Sequence, residues 1–141
     1  MTGTDETELL TALLRAEHEA VYAYGVLGAR LAGEEQLAAR AAFDAHRGWR
    51  DRAAAALRDR GAPRPGVAGG YDAAAADRPA ALGLAVRVEE GVAQRCRDLV
   101  AGGGPAVRSL GVDGLREAAV RAAGWRLRAG VHPATVALPG G

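Results

Sequence analysis

The chain has 141 residues, 49% of them apolar but only 4% aromatic, and a net charge of +1. That length makes one domain over 1–141 the default, and a core of Ala, Leu and Val with few rings suits close-packed helices better than a sheet. All 18 basic residues are arginine, interspersed with acids and forming no basic tail or face, which argues against nucleic acid as a partner.

A first helix is expected over about residues 4–32, with Thr4 or Asp5 able to cap it and Gly33 to stop it. Its apolar stripe runs through Leu10, Leu13, Leu14, Val21, Tyr24 and Leu31, and Glu17 stands in the middle of that stripe. A carboxylate facing a core is costly until a cation, a proton or a donor satisfies it. A second helix over about 34–60 carries Ala39, Ala42, Phe43, Trp49, Ala53 and Leu57, with His46 on the same line, and Gly61, Pro63 and Pro65 end it. Residues 61 to about 77 are non-periodic and long enough to carry the chain along a whole bundle.

A third helix, over about 78–101, sets Leu82, Ala85, Val86, Val92, Ala93, Cys96 and Val100 around Glu89. Gly102-Gly103-Gly104-Pro105 breaks the chain and opens a fourth helix over about 105–128. That helix has the least regular pattern, because Gly111, Gly114 and Gly124 interrupt it, although Leu110, Val120 and Leu127 flank Glu117. The tail over 129–141, with Pro133 and Pro139, is expected to lie along the bundle as an extended strap.

Cys96 is the single cysteine, so an intramolecular disulfide and CxxC-type sites are excluded. The acidic, polar start of the chain shows no leader pattern, and no apolar run approaches the roughly 18 residues that span a bilayer. A soluble, cytoplasmic protein with no membrane partner is the expectation.

One ionisable group thus sits on the inward line of each helix: Glu17, His46, Glu89 and Glu117. Gly33 lies 16 residues from Glu17 and 13 from His46, and Gly103 lies 14 from both Glu89 and Glu117. In antiparallel hairpins such offsets place all four groups at similar height, about 20 Å from the turns. Carboxylates with an imidazole suit iron or manganese.

The stretches Glu17-His18-Glu19-Ala20-Val21-Tyr22-Ala23-Tyr24-Gly25, Ala45-His46-Arg47, Val88-Glu89-Glu90-Gly91-Val92 and Glu117-Ala118-Ala119-Val120-Arg121 resemble the ferritin-like superfamily, and most of all an uncharacterised branch of it from GC-rich bacteria. The resemblance implies an all-α, ferritin-like four-helix bundle, two antiparallel hairpins joined by a long crossover. Active di-iron members use a Glu on each of two helices and a Glu-x-x-His on each of the others. Glu17 matches the first lone Glu and Glu89 the second, or Glu90 if the helix is rotated. His46 and Glu117 match one half each of the two motifs, while Phe43 and Val120 occupy the other halves, so two of six ligand positions are apolar.

Two readings stay open. In one, Glu17, His46, Glu89 and Glu117 hold one iron or manganese ion, and the protein is a metal-dependent oxidoreductase acting on oxygen or peroxide. In the other, Arg50 and Arg121, each four residues after an inward group, replace the metal in a buried ion-pair network, and the bundle is a non-catalytic scaffold. Tyr24 and His18 are candidate outer-shell groups, Glu90 is expected to face solvent, and Trp49 and Trp125 are expected in the bundle or at a homodimer contact.

Overall fold

The computed structural model describes residues 3–140, and four helices make up most of it: α1 (Gly3–Leu27), α2 (Gly33–Asp59), α3 (Arg78–Gly102) and α4 (Pro105–Arg128). Among the described residues there is no strand, and no helix is long and apolar enough to cross a membrane. The helix starts follow from local chemistry. The Asp77 carboxylate accepts from the Ala80 N–H at 2.9 Å ahead of Pro79 in α3. Pro105 opens α4, and the Gly104 N–H is taken up by Glu6 at 2.7 Å.

The first helix differs at both ends from its expected bounds. It begins at Gly3, ahead of Thr4 and Asp5, and its α geometry stops at Leu27. A 3₁₀ turn over Gly28–Arg30 then tightens the chain, and Gly33 turns it back with a φ of +59° that only glycine adopts cheaply.

Polar contacts at the two ends of the bundle define how the helices run. At one end the start of α1 meets the end of α2 and the α3–α4 turn, since Glu6 pairs with Arg60 at 3.6 Å and binds the Gly104 N–H. At the other end Arg78, at the start of α3, makes two bonds of 2.7 and 2.8 Å to Glu35 near the start of α2, and a third to the Arg128 carbonyl at the end of α4. So α1 and α4 run one way and α2 and α3 the other. Residues 60–77 climb from the first end to the second without forming a helix. A tilted ring contact of Tyr71 with Tyr22, centroids 5.5 Å apart, and a bond from Arg30 Nε to the Ala75 carbonyl fasten them to the bundle.

Leu10, Leu13, Leu14, Leu27, Leu57, Leu82 and Leu99 are wholly buried and form the apolar body of the bundle above and below its centre. Where α4 packs on α3, at Gly111, Gly114 and Ala118, α4 contributes no such large side chain. A Cβ on Gly111 would stand 2.8 Å from the Cys96 carbonyl oxygen, and one on Gly114 would stand 2.7 Å from Cys96 Sγ. Two of the glycines that break the apolar pattern of α4, Gly111 and Gly114, are therefore what let it close onto α3.

Gly114→Ala is expected to cost about 1–2 kcal/mol in chemical denaturation, because overpacking outweighs the gain in helix propensity. Removing the sulfur with Cys96→Ala in the same chain should recover part of that loss. A Gly114→Ala protein as stable as the parent would show that the seam can widen freely.

Candidate functional site

The centre of the bundle is built on three residues from three helices. Glu17 on α1, His46 on α2 and Glu89 on α3 are 1%, 0% and 0% exposed. Each lies on the line of its helix that otherwise carries leucine, alanine or tryptophan, so helical packing alone delivers them to one point. His46 Nδ1 is 2.6 Å from a Glu17 oxygen, and His46 Nε2 is 2.9 and 3.2 Å from the two Glu89 oxygens. An imidazole that meets a carboxylate at both nitrogens does so best as imidazolium, the only form with two N–H donors.

The electrostatics agree with that form. Burial works to lower the His46 pKa, but hydrogen bonds to Glu17 and then Glu89, with the charges of both, lift it to about 9. Glu17 is raised above its usual range, with burial the largest influence and the His46 bond and charge opposing it. Glu89 is equally buried, yet His46, Arg121 and Tyr24 together hold it below its usual range. The two carboxylates differ because Glu89 has the additional donors.

Those donors come from α1 and α4. Tyr24 gives its hydroxyl proton to Glu89, and the Trp125 indole N–H donates to the Tyr24 oxygen at 2.8 Å. The Tyr24 ring stacks near-parallel on His46, centroids 5.5 Å apart. Burial, then Glu89, raise the Tyr24 pKa well above normal, so it remains a proton donor. Arg121 Nε donates to Glu89 at 3.1 Å. The result is a chain of alternating charge, Glu17, His46, Glu89 and Arg121, closed at the top by Tyr24 and Trp125.

The structure brings Glu17, His46, Glu89, Tyr24 and Arg121 together and leaves other expected residues apart. Glu117 does not point inward: its side chain is 47% exposed, bonded to Arg121 at 3.4 Å and to the Trp49 indole at 3.2 Å. The expected phase of α4 is off because Gly111, Gly114, Ala118, Ala122 and Trp125 face the core, while Val120 is 73% exposed. Arg50 turns away from the inward acids to bond Asp51, on its own helix, at 3.0 Å. Glu90 lies at the surface end of α3's inner face and pairs with the buried Arg126 of α4, which also reaches the Ala134 carbonyl in the tail. His18 is mostly buried, its Nε2 has no partner among the described residues, and burial followed by Arg50 and Arg64 lowers its pKa. Trp49 and Trp125 are both buried in the bundle and so are not exposed for a subunit contact.

Arg126 is not marked in the sequence as a site residue, and Trp125 is expected there in the bundle or at a homodimer contact, not as a donor to Tyr24. An arginine near a helix end and an indole on a short-residue helix carry no spacing signal, and only the phase of α4 reveals both.

A family model described as "Domain of unknown function (DUF4439)" matches residues 9–141. The chain belongs to that family. It is also similar to the crystal structure of a conserved hypothetical protein from Mycobacterium tuberculosis, at 29% identity and a TM-score of 0.86, over 91% of this chain and 99% of that one. No curated protein matches the chain. This chain thus shares its helical fold with a solved structure.

Proposed function

We propose that this DUF4439 protein is a ferritin-like bundle whose centre is closed by a buried ionic chain in the place where di-iron relatives hold metal, and that it works through its outer surfaces as a non-catalytic scaffold. The observation that carries the reading is the double engagement of His46. A metal ligand must offer a lone pair, and both ring nitrogens of His46 face carboxylate oxygens, an arrangement that suits two N–H donors. Glu89 already accepts from His46, Arg121 and Tyr24, so a cation placed there would compete with an imidazolium and a guanidinium. Among the described residues no three His, Cys, Asp or Glu side chains are arranged to hold a metal ion. The resemblance puts Phe43 and Val120 at two of its ligand positions, both apolar, and Val120 in fact faces outward, 73% exposed. The residues present do not fit an iron or manganese centre.

The test is the metal content of protein purified without chelator, followed by titration with Mn²⁺ and with Fe²⁺ under anaerobic conditions. Less than about a tenth of an equivalent retained, with no thermal stabilisation by either ion, is the expected result. Stoichiometric iron or manganese that is lost in His46→Ala would overturn the reading and restore the oxidoreductase alternative.

A further inference from the structure

A scaffold needs an outer surface that recognises a partner, and the outer face of α2 rests on that reading for its purpose. The solvent side of α2 presents Leu37, Arg40, Asp44, Arg47, Gly48 and Asp51, all exposed, at helical spacings of three and four. Charges alternate in sign along this stripe at intervals where a helix normally pairs its own side chains. Yet Arg40, Asp44 and Arg47 form no ion pair with another described residue. Arg47 instead lies over the Phe43 ring at 5.7 Å. Beside the stripe runs a groove of about 470 Å³ between α1 and α2, floored by Gly25 and Gly28 and walled by Leu37 and Phe43.

We propose that this face of α2 is the interface of a two-fold symmetric homodimer in which α2 packs antiparallel against the same helix of a second copy. With the two-fold axis crossing α2 between Ala45 and His46, Arg40 falls opposite the partner's Asp51 and Asp44 opposite the partner's Arg47. Symmetry makes each pair twice. Phe43 then faces the partner's Gly48, where a Cβ would meet nothing within 4 Å and space is open for a ring. The register is selective. Moving the axis half a heptad toward the N-terminus loses both pairs and leaves, within the stripe, only Arg40 opposite the partner's Asp44. Moving it as far the other way keeps Arg47–Asp51 but sets Arg40 against the partner's Arg58. A parallel pairing sets every charge against its own copy. Like-charge juxtaposition of that kind excludes wrong registers more effectively than the matching pairs add affinity. The pairs are exposed and screened by salt, so the dimer is expected to be salt-sensitive and of modest affinity.

Sedimentation equilibrium of the full chain, in low and high salt, tests the interface, with circular dichroism confirming that each variant is folded. The parent is expected to dimerise in low salt and to dissociate as salt is raised. Asp44→Arg alone and Arg47→Asp alone should each weaken self-association at least tenfold. Mixed one to one, the two single variants should form a heterodimer, because every apposed pair then becomes opposite in charge. The double variant Asp44→Arg/Arg47→Asp should dimerise like the parent. A parent that stays monomeric in low salt, single variants that self-associate like the parent, or a mixture that remains monomeric would each overturn the proposal. The readout is molecular mass, so its failure is distinct from a failure of the metal-content test.

Discussion

Glu89→Gln is expected to lower the unfolding free energy by about 4 kcal/mol, the largest effect of any single substitution considered for this protein. The carboxylate is wholly buried and accepts hydrogen bonds from His46, Arg121 and Tyr24. An amide of the same size keeps one acceptor oxygen but sets an NH₂ against donors, and it strips His46 and Arg121 of their shared counter-charge. Breaking a buried pair from one side leaves the other charge desolvated and uncompensated, which is why the cost exceeds anything the pair contributes in net terms. Glu117→Gln is the matched control. Its carboxylate also bonds Arg121, but half of it is in water, and its loss should stay within about 1 kcal/mol. Urea denaturation of both variants beside the parent provides the comparison. If Glu89→Gln and Glu117→Gln prove equally mild, the central groups are not held as charges, and the ionic chain is not what fills the bundle.

The contrast between those two glutamates also shows how far the sequence could be read. Glu17, His46 and Glu89 were legible because each interrupts an apolar stripe that includes larger residues at helical spacing, such as Leu13 and Leu14 on α1, Trp49 and Leu57 on α2 and Leu82 and Val92 on α3, so the phase of those helices was well marked. On α4 the core face is Gly111, Gly114, Ala118 and Ala122, which offer no hydrophobic contrast. The larger residues Val120 and Leu127 suggested the phase instead, and they are 73% and 59% exposed. What sets the true phase is the close approach to Cys96 and the Trp125 indole reaching Tyr24, and both are properties of a neighbouring helix. Arg50 and Arg121 have the same spacing from a group expected to face inward, His46 and Glu117. Arg50 finds Asp51 one residue away, whereas Arg121 lies over Glu89. The early end of α1 was hidden for a similar reason, since a 3₁₀ turn over Gly28–Arg30 still buries Leu31 and leaves the apolar periodicity intact.

Stability is expected to fall by about 3 kcal/mol as the pH is raised from about 6.5 to about 9, with His46 responsible for the slope. In the folded state its pKa is about 9 against an ordinary value of 6.5. The difference, 9 minus 6.5, is about 2.5 units, and each unit corresponds to about 1.4 kcal/mol. Because the folded pKa is the higher one, the folded protein holds a proton in this interval that the unfolded chain has released. The stabilisation is therefore complete below pH 6.5 and is lost as the pH rises through 9. Above that point Cys96 steepens the fall, since burial pushes its thiol up to about 12 while the unfolded thiol ionises near 9. On the acid side the two glutamates oppose each other. Glu89, held low, contributes stability that is lost as the pH falls through its range, whereas Glu17, held high, becomes less of a burden when protonated. A shallow acid limb and a steep alkaline one are thus the signature of an imidazolium shared by two unequal carboxylates. Urea midpoints at several pH values between 6 and 10 measure the alkaline limb, and His46→Gln should flatten it below pH 9. A parent protein whose stability is level from pH 6.5 to 9 would mean that His46 is neutral in the fold, which would free one ring nitrogen and reopen the centre to a metal ion.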